Sequence, residues 1–441
     1  MYFKSKNIDM LHGPLAGKLL LFTLPIALSS MLQQLFNAAD TAMLGLFVDS
    51  NALAAVGSNT EIVALIVSLS TGLSIGVNLL IAKTIGQGKG EKIPEAVQSS
   101  ILLAGLIGIL GCSIGQLFCK ALLILIQTPV AILDDAVLYL RIYLLAYPFL
   151  LLYDFAAAIL RAQGNSRFPF FVLALSGIVN VGFNFLFIVL LHMGLAGAAL
   201  ATVLSTALSA LLLLRCLIRE GMLCFVAVCI SQSTASEILS VGIPAALQGA
   251  VFCFANIFVQ AAVNSFGEMA IAGSTIAMNF EYFTYYIITA FGQAATSFTG
   301  QNAAAGQLTR CRRILFLSLG LSFFCSSIPI FSIVCFRSFF SGLFTSDAAV
   351  IESASVRILC ILLFEPLCNL YEIPAGYLRG KGHSLFPALS TLLGTCLLRV
   401  LWIFTVFRQI PSLPMLYHVF PLSWVVTIIL VNMGFWVYKS R

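Results

Sequence analysis

Charged side chains are scarce in this sequence. Asp, Glu, Lys and Arg make up only 9% of its 441 residues, whereas a soluble domain carries about 25%. Hydrophobic residues make up 60%, and the mean hydropathy is +1.03. This composition excludes an ordinary soluble domain and predicts an integral membrane protein embedded in a lipid bilayer. The net charge of +6 comes from the connecting segments, so we expect no nucleic-acid partner.

Patterns typical of catalysis or of metal binding are also missing. The sequence has four histidines, which fall in the N-terminal tail, in loops or at the ends of apolar runs: His12, His192, His383 and His418. Its 12 cysteines lie mostly inside apolar runs and show neither Cys-x-x-Cys nor Cys/His spacing. We therefore expect no enzyme, no cofactor and no disulfide framework.

Long apolar runs dominate the sequence instead. A helix needs about 20 apolar residues to cross a bilayer. Twelve runs are long enough, and they are numbered here as spans 1 to 12: 15–46, 52–82, 94–119, 134–161, 168–191, 194–218, 236–265, 269–302, 311–336, 347–379, 385–408 and 415–438. None alternates as the strands of a barrel would. The sequence predicts an all-α membrane protein with twelve transmembrane helices.

The basic residues predict the orientation of these spans. Seventeen of the 23 Lys and Arg residues lie near the start of span 1 or near the ends of the even-numbered spans: Lys4, Lys6, Lys18, Lys83, Lys89, Lys92, Arg161, Arg167, Arg215, Arg219, Arg310, Arg312, Arg313, Arg379, Lys381, Lys439 and Arg441. Loops on the other side carry acids such as Asp49, Asp134 and Asp347. The positive-inside rule then predicts a multi-pass protein of the cytoplasmic (inner) membrane with both termini in the cytoplasm.

An internal repeat divides the chain. YDFAAAILRAQGNSRFP (Tyr153–Pro169) matches YEIPAGYLRGKGHSLFP (Tyr371–Pro387) at an offset of 218 residues. Near the start of the chain the offset is 219, which pairs Pro25 with Pro244. We predict two six-helix lobes, residues 1–218 and 236–441, joined by a cytoplasmic linker, residues 219–235, and related by a parallel repeat.

Paired lobes of this kind are typical of transporters that work by alternating access. A channel would instead require rings of charge or a filter formed by oligomer symmetry. A receptor or channel is therefore the less favoured alternative, and we expect the transporter to act as a monomer.

Span 1 contains the most informative polar residues. Gln33, Asn37 and Asp40 share one helical face, and Pro25 invites a bend of the helix near its start. A charge in hydrocarbon costs about 2.5–3.5 kcal/mol, so such a residue usually faces a cavity and a partner. Asp40 indicates an ion-coupled transporter; the alternative is a packed helix whose polar residues only bond to neighbouring helices.

Depth in the membrane suggests partners for Asp40. The predicted orientation places Asp40, Asn180, Asn184 and Thr202 within roughly 6–18 Å of the outer ends of their helices. One carboxylate, two amides and a hydroxyl provide hard oxygen ligands. These four residues are our candidate site for a coupling cation, H⁺ or Na⁺, and for metal binding if the cation is Na⁺.

The second lobe carries a further candidate polar site. Glu281, Glu365 and Arg399 all fall within apolar spans. Arg399 either pairs structurally with Glu281 or Glu365, or takes part in substrate binding. The sequence leaves both interpretations open.

Several motifs follow one another along the two halves in a specific order and spacing: Pro25…Asn37…Asp40, Ala52–Gly57, Gly72…Gly76…Gly86-Gln87-Gly88, Gly300-Gln301-Asn302…Gly306, and Leu-Arg-x-x-Gly at Leu160 and at Leu378. In these the chain resembles the multidrug and toxic compound extrusion (MATE) family over nearly all of residues 10–440. The resemblance implies twelve helices in two bundles and cation-driven drug export. It also implies that Asp40 binds H⁺ or Na⁺ together with Asn180, Asn184 and Thr202. Some members carry an acid at the position of Asn184, so the choice of ion stays open.

We therefore expect an antiporter that exchanges H⁺ or Na⁺ for organic, cationic amphiphilic drugs. The alternative is a flippase for a lipid-linked oligosaccharide or precursor on a related fold. A flippase would favour several Arg or Lys residues at mid-membrane to hold a pyrophosphate, and only Arg399 qualifies by position.

The predicted orientation can be tested by labelling in intact cells. A cysteine placed at Lys89 should react with a membrane-impermeant maleimide only after the membrane is permeabilised, because its loop is basic and therefore cytoplasmic. The matched variant Asp134→Cys should react from outside, above the labelling of the parent protein. Labelling of the Lys89→Cys variant in intact cells would contradict the predicted orientation and indicate the opposite one.

Overall fold

The computed structural model describes residues 7–48, 50–126, 128–223 and 230–438. This part of the chain is helical and contains no strand. Within it, nine helices are long and apolar enough to cross a membrane, or ten if the pair Val130–Leu144 and Tyr147–Ala162, bent by 42°, forms one span. Each of the twelve predicted spans coincides with a helix or with a run of joined helices, which confirms the predicted fold class.

Among the residues that the structure describes, the first half of the chain contains seven α-helices: α1 (Leu15–Phe47), α2 (Ser50–Gly86), α3 (Ile93–Leu125), α4 (Val130–Leu144), α5 (Tyr147–Ala162), α6 (Arg167–Asn184) and α7 (Gly194–Arg219). The second half consists of ten: α8 (Gln232–Asn264), α9 (Glu268–Ala304), α10 (Leu308–Cys335), α11 (Arg337–Gly342), α12 (Ala348–Cys360), α13 (Asn369–Gly380), α14 (Leu385–Thr391), α15 (Leu398–Trp402), α16 (Leu413–Tyr417) and α17 (Val419–Tyr438).

Irregular helical segments lie next to three of the predicted site residues. A π-helical segment, Phe185–Leu190, begins directly after Asn184. Glu365 lies in a 3₁₀ segment, Leu362–Cys368, and Arg399 in a short α-helix between two π-helical segments. π-bulges and mid-helix 3₁₀ turns often mark functional positions, because they interrupt the regular hydrogen-bond ladder.

Contacts group the chain into two units. Unit 1 comprises Met1–Asp9 and Leu28–Ala246. Its core surrounds α5, whose small residues Ala156, Ala157 and Ala158 are almost fully buried against α2, α3 and α7. Small residues let membrane helices approach closely without strain, and such packing rather than apolar burial holds helices together in lipid.

Unit 2 comprises Met10–Ala27 and Leu247–Arg441. Its central helix is α9, which packs against α10, α12 and α13. The approach of α9 to α13 is so close that a Cβ atom on Gly376 would lie 2.4 Å from the carbonyl oxygen of Gly292. The two glycines therefore set the spacing of these helices.

The unit boundaries fall inside two helices, shortly after a proline in each. Unit 1 resumes at Leu28 in α1, which contains Pro25, and ends at Ala246 in α8, which contains Pro244. Proline removes one backbone hydrogen bond, so the two parts of such a helix can pack separately. The contacts therefore group residues 10–27 with unit 2 and residues 236–246 with unit 1. The sequence instead predicts residues 10–27 in the first lobe and residues 236–246 in the second.

Some sequence predictions fall on residues outside the described ranges. The predicted linker, 219–235, includes residues 224–229, which the structure does not describe. Four of the basic residues used for orientation and one acidic residue also lie outside: Lys4, Lys6, Lys439, Arg441 and Asp49. The orientation of the termini stays a prediction.

Gly72 should be intolerant of any side chain. A Cβ atom there would lie 2.3 Å from the Cα of Ala246, so Gly72→Ala must push α2 away from α8. We expect a loss of about 1–3 kcal/mol of stability, seen as a lower melting temperature in detergent. The matched control is Gly57→Ala in the same helix, where a Cβ would meet nothing within 4 Å. Equal melting temperatures for the two variants would contradict the close approach.

Candidate functional site

Asp40 has a direct partner on α6. The Nδ2 atom of Asn184 donates a hydrogen bond to Oδ1 of Asp40 at 2.5 Å. The same amide nitrogen lies 3.2 Å from Oδ1 of Asn180, one turn earlier on α6. Both asparagines are buried, whereas Asp40 is partly buried. The structure thus brings three of the four residues of the predicted cation site into one hydrogen-bonded chain.

The chain continues from α6 to α7 through a residue that sequence reasoning missed. Asn180 donates from Nδ2 to the hydroxyl of Ser205 at 3.3 Å, and that hydroxyl donates to the backbone carbonyl of Thr202 at 3.1 Å. The hydroxyl of Thr202 donates to the carbonyl of Ala198 at 3.2 Å. Thr202 therefore joins the chain through its backbone and Ser205. The spacing of Ser205, three residues after Thr202 on one face, was the available signal.

One oxygen beside Asp40 is left without a partner. Oδ1 of Asn184 is buried and accepts no hydrogen bond from the described residues. A buried acceptor without a donor is unfavourable unless another group occupies the position. A carboxylate next to a free amide oxygen is a donor set that fits a proton or Na⁺. Asp40 and Asn184 could therefore hold a small cation between them.

Two tyrosines of α4 complete the surroundings of Asp40. The rings of Tyr139 and Tyr143 stack with their centroids 6.1 Å apart, and both hydroxyls lie within electrostatic range of the Asp40 carboxylate. Sequence reasoning did not select them, although their spacing of four residues places both on one helical face. Two hydroxyls near a single carboxylate can donate hydrogen bonds to it, and their oxygens can coordinate a bound cation.

Unit 2 contains a cavity formed by α8, α9, the α12–α13 region, the segment around Arg399 and α17. Its empty volume, with the open mouth included, is about 670 Å³. Its walls are apolar and aromatic with a few charged residues: Phe252, Asn256, Val259, Gln260, Met278, Glu281, Tyr282, Tyr285, Arg357, Ile361, Glu365, Tyr371, Arg399, Phe420 and Trp424. All three residues of the predicted second polar site line this cavity.

The partner of Glu281 is Arg357 of α12, which sequence reasoning missed. Nε and Nη2 of Arg357 donate to the two carboxylate oxygens of Glu281 at 2.7 and 2.8 Å. Nη1 donates to the hydroxyl of Ser274 at 2.7 Å. The expectation that Arg399 pairs with Glu281 is therefore wrong, because a bidentate fork from Arg357 already occupies both oxygens.

Glu365 and Arg399 line the same cavity without forming an ion pair. Oε2 of Glu365 accepts a hydrogen bond from Thr284 at 2.7 Å, and its buried Oε1 has no partner among the described residues. Arg399 donates from Nε to Ser423 and from Nη1 to Asn256, each at 3.3 Å. The interpretation that Arg399 pairs with Glu365 is therefore also wrong. Of the interpretations of Arg399 that the sequence left open, a role in substrate binding remains.

The fold and these sites define the class of protein. Polar and charged side chains are buried inside apolar membrane-spanning helices in each of two helical units, as is typical of secondary transporters. The MatE family model matches residues 25–186 and 244–405, two ranges that begin 219 residues apart, in agreement with the repeat. The chain belongs to the MatE family of multidrug efflux transporters, and it is a multi-pass membrane protein.

Relatives and solved structures agree with this assignment. The probable multidrug resistance protein YpnP of Bacillus subtilis is 27% identical over 89% of each chain. The FAD transporter of Shewanella oneidensis is 25% identical over 83% of this chain and 84% of its own. An outward-facing multidrug resistance MATE family transporter aligns over 100% of each chain with a TM-score of 0.90 at 20% identity. Residues 133–271 also match the model of the lipid II flippase MurJ.

The ion pair in unit 2 predicts a large effect of a single substitution. Arg357→Met leaves the carboxylate of Glu281 buried without a counter-ion, which should cost about 3–5 kcal/mol. The melting temperature of the purified protein should fall, and the double variant Arg357→Met with Glu281→Gln should recover most of the loss.

The matched control for this prediction is the more exposed pair Lys83–Glu237, at 2.8 Å with side chains 33% and 39% exposed. Lys83→Met should cost no more than about 1 kcal/mol, because solvent already screens that pair. A melting temperature for Arg357→Met equal to that of Lys83→Met would contradict a structural ion pair in unit 2.

Proposed function

We propose that the protein is an antiporter that couples the inward movement of H⁺ or Na⁺ to the export of organic amphiphiles. The observation that carries the proposal is the hydrogen bond from Asn184 to Asp40, with the unpartnered amide oxygen of Asn184 beside it. This arrangement gives unit 1 a partly buried carboxylate whose net charge changes by one unit when it takes up a cation. Asn180 and Thr202 support the carboxylate from α6 and α7.

Coupling requires that cation binding alters the structure of unit 1. A cation at Asp40 competes with Asn184 for the carboxylate oxygens, so binding must loosen or rearrange the contact between α1 and α6. Pro25 interrupts the hydrogen-bond ladder of α1 and gives the helix a position at which to bend. The bend reshapes the surroundings of Asp40 and favours release of the organic molecule, so that ion and substrate favour different conformations.

The energy available from one charge is sufficient for useful export. A membrane potential contributes about 2.3 kcal/mol per charge per 100 mV. Movement of one net charge per cycle then supports roughly fifty-fold accumulation. The site therefore requires only the single carboxylate of Asp40.

The organic substrate and the location of the protein are part of the proposal. The relatives named as multidrug resistance proteins support export of small organic molecules, and aromatic walls such as Phe252 and Trp424 suit amphiphilic ones. The resemblance to the MATE family and the aromatic content of the sequence predict cationic substrates. We place the protein in the cytoplasmic membrane as a monomer, with both termini in the cytoplasm.

A flippase for a lipid-linked precursor is the second candidate. The match of residues 133–271 to the model of the lipid II flippase MurJ favours it. The pyrophosphate of such a substrate would need several unpaired basic groups at mid-membrane. Of the two arginines that line the cavity in unit 2, Arg357 is already neutralised by Glu281, so the cavity offers one. An exporter of smaller molecules fits this single charge better.

Asp40→Asn should abolish gradient-driven efflux without unfolding the protein. The substitution keeps the shape of the side chain and its contact with Asn184 but removes the change in charge. We expect loss of efflux of fluorescent amphiphiles, one cationic and one anionic, from proteoliposomes under Na⁺ and pH gradients imposed separately, with wild type exporting at least one of them under at least one gradient.

The other members of the site provide graded controls. Asn180→Ala, Asn184→Ala and Thr202→Ala should each weaken the ion dependence less than Asp40→Asn, because the carboxylate remains. Efflux at the wild-type rate in Asp40→Asn vesicles under the same gradient would remove Asp40 from the mechanism and favour Glu365 as the coupling group.

A further inference from the structure

Arg399 is the most deeply buried charged group in the cavity of unit 2. Its side chain is 1% exposed. Nε contacts the hydroxyl of Ser423 and Nη1 contacts Oδ1 of Asn256, each at 3.3 Å. A guanidinium has five N–H donors, so several remain for other groups. No carboxylate in the described part of the chain lies within 4.0 Å of it.

Arg357 lines the same cavity, but its guanidinium forms an ion pair and hydrogen bonds within the protein. It is 4% exposed, and its Nε, Nη1 and Nη2 atoms make hydrogen bonds of 2.7–2.8 Å to Glu281 and Ser274. A buried cation without a counter-ion is costly, so such groups in membrane proteins usually mark a binding site. Arg399 therefore differs from Arg357 because it forms no ion pair with a carboxylate among the described residues.

Aromatic rings hold the guanidinium of Arg399 in place. Its central carbon lies 4.1 Å from the ring centroid of Phe420 and 5.4 Å from that of Phe252. Stacking on these rings fixes the plane of the fork and leaves its donors for a planar acidic group. Tyr282, Tyr285 and Trp424 extend the aromatic wall beside it, which suits a flat apolar body.

We propose that Arg399 binds the acidic group of an organic substrate, so that the cavity of unit 2 takes aromatic amphiphiles that carry a carboxylate or a phosphate. This inference rests on the proposed export function and names a substrate class for it, one that bears a negative charge. Glu365 limits the ligand to one acidic group, because a second would face its carboxylate. The unpartnered Oε1 of Glu365 can instead accept a hydrogen bond from an ammonium or hydroxyl group of the ligand.

The first test uses wild-type protein purified in an uncharged maltoside detergent. Isothermal titration calorimetry should show that 2-naphthoate binds at least about tenfold more tightly than 2-naphthamide, which has the same body and no charge. Naphthyl phosphate, measured alongside, distinguishes a preference for carboxylate from one for phosphate. Equal affinity for the amide and both anions would overturn the proposal, whatever the variants show.

The second test asks whether the preference depends on this arginine. Arg399→Gln should reduce the ratio of naphthoate to naphthamide affinity to about one while leaving naphthamide binding unchanged. The matched control is Arg408→Gln, which removes an exposed guanidinium from the same unit and should leave the ratio at its wild-type value. Retention of the preference in folded Arg399→Gln, or equal loss of both ligands, would contradict a binding role.

Two further variants keep the result interpretable. If Arg399→Gln does not fold, Arg399→Lys retains the charge but not the fork, and it should keep the preference with a several-fold weaker affinity. If Arg399→Lys weakened the binding of naphthamide as much as that of naphthoate, the result would count against the proposal. Asp40→Asn can change both affinities together but should keep their ratio, because both ligands use the cavity of unit 2 and Asp40 does not line it. A failure of coupling through Asp40 and a failure of anion binding at Arg399 are thus separate results.

Discussion

A polar group on a helix embedded in hydrocarbon must find its hydrogen-bond partner within the protein. In unit 1 this constraint is met by the contact between Asp40 and Asn184, on which the packing of three helices depends. The bond at 2.5 Å connects α1 to α6, and its continuation through Asn180 and Ser205 connects α6 to α7. Each of these helices must turn one particular face towards the others, because any other rotation would leave a carboxylate or an amide in lipid. The same groups that set the packing are those able to hold a cation.

In unit 2, buried charged groups are satisfied in two different ways. The charge of Glu281 is neutralised by Arg357 with nearly ideal bidentate geometry, which fixes α12 against α9. Arg399 and Glu365 each keep unused hydrogen-bonding capacity and lie in irregular helical segments at the cavity wall. A ligand that satisfies these groups would stabilise the conformation that exposes them, which is how substrate binding can favour one state of a transporter.

Much of this architecture could be predicted from the sequence, because bilayer thickness and charge bias act on single segments. The twelve spans, the repeat and the shared depth of Asp40, Asn180 and Asn184 all follow from such local signals. The partner of Glu281 could not be predicted in this way. Arg357 and Glu281 are 76 residues apart, and their pairing depends on which helices are neighbours. The 3₁₀ break around Glu365, the participation of Ser205 and the division of α1 after Pro25 likewise arise from packing between helices.

The central claim is that one carboxylate, Asp40, binds the coupling cation, and counting bound cations tests it most directly. Proton release followed with a pH dye, together with binding of radioactive sodium, can be measured on detergent-solubilised wild type, Asp40→Asn and Glu365→Gln. The account predicts about one cation per molecule in wild type and in Glu365→Gln, and none in Asp40→Asn, since the carboxylate of Asp40 provides the only charge in that site. Cation binding that persists in Asp40→Asn and disappears in Glu365→Gln would contradict it.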